Sequence, residues 1–313
     1  MNGIAYSGDE FECGSIIDKI NNSIINDISP IQIRAKDIQD FIVVNGRIDS
    51  IKTGELINLL NNYIENGKRT ISVHLPNPVW DNHEISQKNY VLGTIIHDIL
   101  VPLGITEYTI HPHISLYEFN SMSDSEKIST IDKMGKYFAY LALNGANLAI
   151  ENIPVRNINE IDNITDEQKK EKAKKNISFG MTIDEIDSIL NNTRFNLVQL
   201  GKSEKETKDM IGVTYDTGHS LSMSSSDQMG SVVENWISHF ANDIKIFHIV
   251  PSVDEENNLI HENKTAKIIS LVNKLSKMYG VDALPFIEAH GSIELMTNLY
   301  EFGNRESYII DGE

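Results

Sequence analysis

Short runs rich in β-branched residues alternate with longer amphipathic stretches along this chain, and that alternation constrains the fold most. The runs are "IQIR" (31–34), "TISVHLP" (70–76), "EYTIHPH" (107–113), "NLAIENIP" (147–154), "GVTYDTGH" (212–219), "IKIFHIVPS" (244–252) and "LPFIEAHG" (284–291), with an eighth at "GIAYS" (3–7). Helical patterns lie between them, such as "GELINLLNNYIENG" (54–67) and "TAKIISLVNKLSKMYG" (265–280). Strand and helix in alternation imply parallel βαβ units. Seven or eight such units in 313 residues fit an α/β fold, a (β/α)8 barrel formed by one domain over residues 1–313. An open doubly wound sheet is the competing arrangement, but no Gly-rich phosphate loop follows the first strand.

The segment 155–210 breaks the rhythm. "RNINEIDNITDEQKKEKAKKN" is polar and holds few large apolar residues. "TIDEIDSILNN" then reads as a helix, with Thr182 as N-cap and Glu185 completing a capping box. Ile183, Ile186, Ile189 and Leu190 form its apolar stripe. The segment is expected to be an enlarged loop over the barrel mouth together with the helix after the fifth strand, and a lid is the functional reading of that loop.

Charge limits the partners. Lys and Arg number 27 and Asp and Glu 45, a formal net charge of −18. Such a surface repels phosphate backbones unless a local basic patch compensates. The one Lys cluster, "KKEKAKK" at 169–175, lies among acids and reads as a solvated helix face, so nucleic acid is disfavoured as a partner. Cys13 is the only cysteine, which excludes an intrachain disulfide and suits a reducing compartment. The opening residues lack the basic and apolar regions of a signal peptide, and no apolar run approaches ~18 residues. The expectation is a cytoplasmic protein without a membrane span that acts on a small molecule, and homo-oligomers are compatible with it.

The strand ends carry the chemistry. His74, His111, Glu151, Asp216, His248 and Glu288 stand at or near the carboxyl ends of six successive strands, with His113, His219 and His290 just beyond. In a barrel those ends converge on one face, where active sites of this architecture sit. A lone histidine in an apolar run is usually a satisfied core residue, but an unpaired buried Glu costs several kcal/mol. Three carboxylates converging with imidazoles need a cation to offset their repulsion. Oxygen and imidazole ligands suit a divalent ion such as zinc, manganese, iron, cobalt or magnesium. No matching set of Arg or Lys stands at these ends to make an ion-pair network instead. Trp80, in the loop after His74, is expected either to wall the pocket, stacking on a sugar ring, or simply to pack. Arg156 is a candidate for a substrate phosphate or carboxylate. Gly218 is expected to let the chain turn after Asp216 and return His219 toward the mouth.

The order His74, His111, Glu151, Asp216–x–x–His219, His248, Glu288 resembles the xylose isomerase-like TIM-barrel superfamily, which includes sugar isomerases and epimerases, inosose-processing enzymes and endonuclease IV. "AIEN", "DTGH" and "FIEA" carry the resemblance most specifically, and it covers the chain from about residue 30 onward. For the isomerase branch it implies one metal held by Glu151, Asp216, His248 and Glu288, with His219 contacting substrate. For the endonuclease IV branch it implies up to three zinc ions, with His74, His111 and His219 as added ligands. That branch also uses an Asp–x–His pair after the seventh strand. Here His261 can serve as its imidazole, but Leu259 stands where the Asp belongs, so the third site is one ligand short.

Three catalytic readings follow. The first is a metal-dependent isomerase or epimerase acting on a small sugar or polyol. Glu151 and Glu288 exchange a proton alpha to a carbonyl, through a metal-stabilised enediolate, from opposite sides of the mouth. The second is a phosphodiesterase of the endonuclease IV type, favoured by the additional histidines and opposed by the charge of −18. The third is a multinuclear non-heme iron oxidase on the same barrel. A barrel that binds a sugar or metal without turnover completes the set.

Overall fold

A computed structural model describes residues 3–7, 14–65, 69–81, 84–154, 165–167, 170, 178–225, 227–251, 262–289 and 292–310 of the chain. Eight parallel strands close into a barrel: β1 (Gly3–Tyr6), β2 (Ile31–Arg34), β3 (Ile71–His74), β4 (Glu107–Ile110), β5 (Asn147–Glu151), β6 (Ile211–Asp216), β7 (Ile244–Ile249) and β8 (Leu284–Ala289). Neighbours in the ring are neighbours in the chain, and Ile4 of β1 closes it between Ile31 of β2 and Ile287 of β8. The expected (β/α)8 architecture is therefore the one formed.

Helices cover the outside: α1 (Ile16–Ile25), α2 (Ala35–Ile42), α3 (Ser50–Glu65), α4 (Asp124–Leu143), α5 (Ile183–Gln199), α6 (Thr217–Leu221), α7 (Met229–His239), α8 (Glu262–Tyr279) and α9 (Ile293–Ile310). Between β3 and β4 the crossover is made of short irregular helical turns over Gln87–Leu103. None of the helices in the described residues is long and apolar enough to cross a membrane.

Both faces of every barrel strand are covered, so the strands read as near-continuous apolar runs. Alternate residues such as Ile33, Val73, Leu148, Val213 and Ile287 are fully buried in the core under the helices. The intervening residues point into the barrel. Ala5, Ala149, Ile246 and Phe286 form a small separate apolar cluster there. Gln32, Ser72, Thr109 and Thr214 form a polar floor beside it. Gln32 Nε2 donates to Ser72 Oγ and to Thr109 Oγ1, both at 3.1 Å, and Thr109 Oγ1 lies 3.0 Å from Thr214 Oγ1. Ser72 Oγ itself donates to the Glu107 carbonyl at 3.1 Å. Each of these polar groups is buried and partnered, as burial demands.

The departure after β5 resolves into two parts. Thr182 caps α5 and Glu185 closes the box, as the sequence pattern requires. Ile186, Ile189 and Leu190 are buried, Ile183 is partly so, and α5 packs along α4. The lid reading falls on 155–177, nearly all of it outside the described residues. The chain re-enters at Ser178–Gly180, where Phe179 N donates to Ile114 O (2.8 Å) and Ile153 N to Gly180 O (3.1 Å). The loops after β4 and β5 are thus stitched together beside the mouth.

Candidate metal centre

The two-residue period of a strand places the site. Counting two residues on from the inward-facing Ser72, Thr109, Ala149, Thr214, Ile246 and Phe286 gives His74, His111, Glu151, Asp216, His248 and Glu288. All six lie within one residue of a strand's carboxyl end, on the inside of the barrel, and the structure brings them together.

Glu151 is the hub and is fully buried. Its Oε2 lies 3.0 Å from His74 Nε2 and 3.1 Å from His111 Nε2. Its Oε1 lies 3.0 Å from His248 Nδ1 and 3.7 Å from His219 Nδ1. Glu288 Oε2 approaches the same His248 nitrogen to 2.6 Å, and Asp216 Oδ2 stands 4.0 Å from it. Glu151, from β5, and Glu288, from β8, thus both reach one imidazole from β7. Two sets of donor atoms cluster within 4.8 Å: His74, His111 and Glu151, and Glu151, Asp216, His248 and Glu288. Glu151 belongs to both.

The outer nitrogens fix how the histidines present themselves. His74 Nδ1 donates to the Leu75 carbonyl at 3.0 Å, His111 Nδ1 to Asn77 Oδ1 at 3.0 Å, and His219 Nδ1 to the Asn152 carbonyl at 2.7 Å. In the neutral ring that leaves the Nε2 lone pairs of His74 and His111 aimed at a carboxylate oxygen. This is the arrangement of a metal-ligating histidine, whose remote N–H is held by a carbonyl. Asp216 Oδ2 and His248 Nε2 are buried without a hydrogen-bond partner. Asp216 Oδ2 lies 4.0 Å from His248 Nδ1, and a cation within the donor set of Glu151, Asp216, His248 and Glu288 removes both the repulsion of the carboxylates and the unmet bonding of that oxygen. The residues fit a divalent ion with mixed oxygen and imidazole ligation, as zinc, manganese, iron and cobalt accept.

The charges agree. Among the described residues, Glu151, Asp216 and Glu288 form ion pairs with imidazoles alone, without Lys or Arg. Burial alone would push the Glu151 carboxyl up, but the His248 and His111 rings outweigh it and hold it well below the usual carboxylate range. Burial, then the charges of Glu151 and Glu288, push Asp216 well above its ordinary value. Burial opposes the charged form of His248, yet Glu288 and Glu151 raise its pKa well above the usual imidazole range. Burial likewise works against Glu288, and His248 prevails, bringing it down to about 2. The shifts favour the protonated forms of His248 and Asp216, beside carboxylates held low.

A cavity of about 390 Å³ opens onto this cluster, within the size range of small-molecule sites. His74, His111, His219 and Glu288 form its metal side, and Tyr6, Ser7, Gln32, Arg34, Lys36 and Asn77 much of the rest. Arg34 sits beside His74 in the strand register and holds Asp37, which also pairs with the fully buried Lys19 at 2.6 Å. Trp80 and His113 are not among the lining residues. Trp80 Nε1 donates to the His113 carbonyl at 2.7 Å, and His113 Nδ1 lies 3.0 Å from Ser178 Oγ, so both serve the loop belt. Burial, then His111, lowers the His113 pKa. Arg156, His261 and His290 lie outside the described residues. Gly218 needs no left-handed backbone; it sits inside α6, where a Cβ would fall 2.6 Å from Val250 Cβ. The reason for glycine there is steric rather than a turn. Sequence reasoning missed Asn77 and Asn152, both hydrogen-bonded to candidate ligands. It also missed Gln32 and Arg34, which the inward period of "IQIR" could have flagged.

No family model and no curated protein matches this chain by sequence. Solved structures do match its shape, over nearly all of both chains. A D-psicose 3-epimerase, determined in the presence of D-fructose, superposes with a TM-score of 0.60 at 10% identity, covering 99% of each chain. An IOLI protein with a bound zinc atom gives 0.54 at 11%, covering 98% of this chain and 97% of that one. Endonuclease IV from Thermus thermophilus gives 0.54 at 13%, covering 97% and 98%. The fold shared with these structures is the closed (β/α)8 barrel. Identities this low speak for the architecture and leave the chemistry to the site.

Proposed function

We propose that the protein is a divalent-metal-dependent isomerase or epimerase acting on a small sugar or polyol. The observation that carries this reading is the convergence of Glu151 and Glu288 on His248 beside Asp216, with Glu288 and His219 lining a small-molecule cavity. Glu151, Asp216, His248 and Glu288 would hold the ion. When bound, it supplies Lewis-acid polarisation of a carbonyl and its neighbouring hydroxyl.

The chain's own groups then move the proton. One of Glu151 and Glu288 removes it from the carbon alpha to the carbonyl and the other returns it, general acid–base work of a kind that contributes about 10²–10⁴-fold. Glu288 is the better placed to meet substrate first, because it lines the cavity while Glu151 is buried beside it in the same donor set. His219, with its Nδ1 proton committed to Asn152 O, presents Nε2 as an acceptor for a substrate hydroxyl. The neighbouring fold of a D-psicose 3-epimerase supports the reading at the level of architecture.

One feature favours a second reading, phosphodiester hydrolysis of the endonuclease IV type. His74 and His111 give Glu151 a second set of partners, and paired ions suit in-line displacement at phosphorus. A single experiment separates the two. Purified protein is analysed for bound metals, reloaded with manganese, cobalt or zinc, and incubated in D2O with D-fructose, D-psicose and L-ribulose. Deuterium entering beside the carbonyl, seen by NMR, is the expected result. No exchange, together with nicking of an abasic DNA duplex, overturns the isomerase reading. Several bound iron ions without either activity point to oxidation instead.

A further inference from the structure

Asn152 follows the hub carboxylate Glu151 and is fully buried. The ladder between β5 and β6 ends at the pair Glu151 and Thr214. Two residues later, the backbone of Asp216 has no partner strand on that side. The Asn152 side-chain amide takes its place. Asp216 N donates to Asn152 Oδ1 at 2.7 Å, and Asn152 Nδ2 donates to Asp216 O at 3.0 Å. The Asn152 carbonyl then accepts the Nδ1 proton of His219 at 2.7 Å. His219 N in turn donates to Asp216 Oδ1 at 2.7 Å, which leaves Oδ2 as the oxygen facing the cluster.

We propose that Asn152 is a positioning residue for the cation site, acting as a side-chain extension of the β5–β6 ladder that aims Asp216 Oδ2 into the cluster and sets the ring of His219. Both amide positions are used, so an isosteric carboxylate keeps only half of the device. The closed loop of bonds from Asn152 to Asp216, to His219 and back to Asn152 makes the two ligand-bearing residues move together. Outer partners of metal ligands commonly change affinity by about 10–100-fold. The proposal rests on the reading of this cluster as a metal centre.

The test is a cobalt titration of metal-depleted full-length protein, followed by visible absorption and by calorimetry. Wild type, Asn152→Ala and Asn152→Asp are compared, with thermal melts of each metal-free form. Asn152→Ala is expected to bind cobalt about 10–100-fold more weakly and with an altered ligand-field spectrum. Asn152→Asp keeps the acceptor for Asp216 N but turns the other bond into an oxygen–oxygen contact. Its added negative charge alone would tighten cation binding, so weaker binding in this variant isolates the positioning role. It also serves should the alanine variant fail to fold. Unchanged or tighter cobalt binding in the folded variants, with an unchanged spectrum, overturns the proposal. Wild type that binds no cobalt overturns the metal reading itself, and the positioning role with it.

Discussion

Glu151 shows how much one side chain can determine. A wholly buried carboxylate is stable only if its charge is met, and here four imidazoles surround it at 3.0–3.7 Å. Glu151→Gln keeps the shape but removes the charge that makes both donor sets attractive to a cation. The expected outcome is loss of most bound metal and a fall in kcat of at least ~10²-fold, the lower end for a general acid–base group, with the barrel still folded. Elemental analysis and far-UV circular dichroism check this. Full metal content in the variant would show that Glu151 is not a shared ligand. The protons on His248 and Asp216 make a second prediction at the same scale. Both raised groups must lose their proton to bind a cation. Uptake should therefore release protons at this set, read by calorimetry in buffers of different ionisation heat. Uptake with no proton release would contradict the assignment of these two ligands.

Elements locate those residues, and their joints are less forgiving than their middles. β6 passes directly into α6, with Asp216 both ending the strand and accepting from His219 N at the start of the helix. Val250, just beyond β7, fills the space against Gly218. Gly218→Ala should destabilise the protein by about 1–3 kcal/mol through overpacking and weaken metal binding by displacing His219. Adding Val250→Ala should recover much of the loss, as seen in thermal melts of the single and double variants. Additive losses in the double variant would exclude this contact as the cause. The eight strands were legible because a barrel strand buried on both faces must be apolar throughout. Their carboxyl ends were not: "EYTIHPH" and "GVTYDTGH" read as longer strands than Glu107–Ile110 and Ile211–Asp216. Past Ile110 the chain is held by a side chain, Asn77 on His111, rather than by a ladder, and Asn152 stands in for the missing strand on the β5 side of Asp216. The strand-end His, Asp and Glu residues stood out because each interrupts an apolar run. Asn77 and Asn152 did not, since their partners lie 34 and 64 residues away and meet them only when the ring closes.

At the scale of the whole molecule, ring closure gathers three carboxylates in a chain that already carries −18, so the metal-free protein holds like charges together at its mouth. Proton linkage gives the sign of the consequence. His248 and Asp216 bind their protons more tightly folded than their ordinary values of 6.5 and 3.8. The stability they lend is present below those values and lost as pH rises through the folded ones. Glu151 and Glu288, held low, act in the opposite sense, but their contribution is already complete above about pH 5. From there upward the metal-free protein should lose stability as pH rises, whereas a bound cation replaces the protons and gains affinity over the same range. A ligand at a hundredfold excess over its Kd stabilises by ~2.7 kcal/mol. The rise in Tm on adding cobalt or zinc should therefore be larger at pH 8 than at pH 6, and chelation should abolish it. Thermal melts at the two pH values, with metal and with chelator, decide the matter. A metal-induced shift that is equal at both, or larger at pH 6, would mean that the cation does not displace the protons of His248 and Asp216.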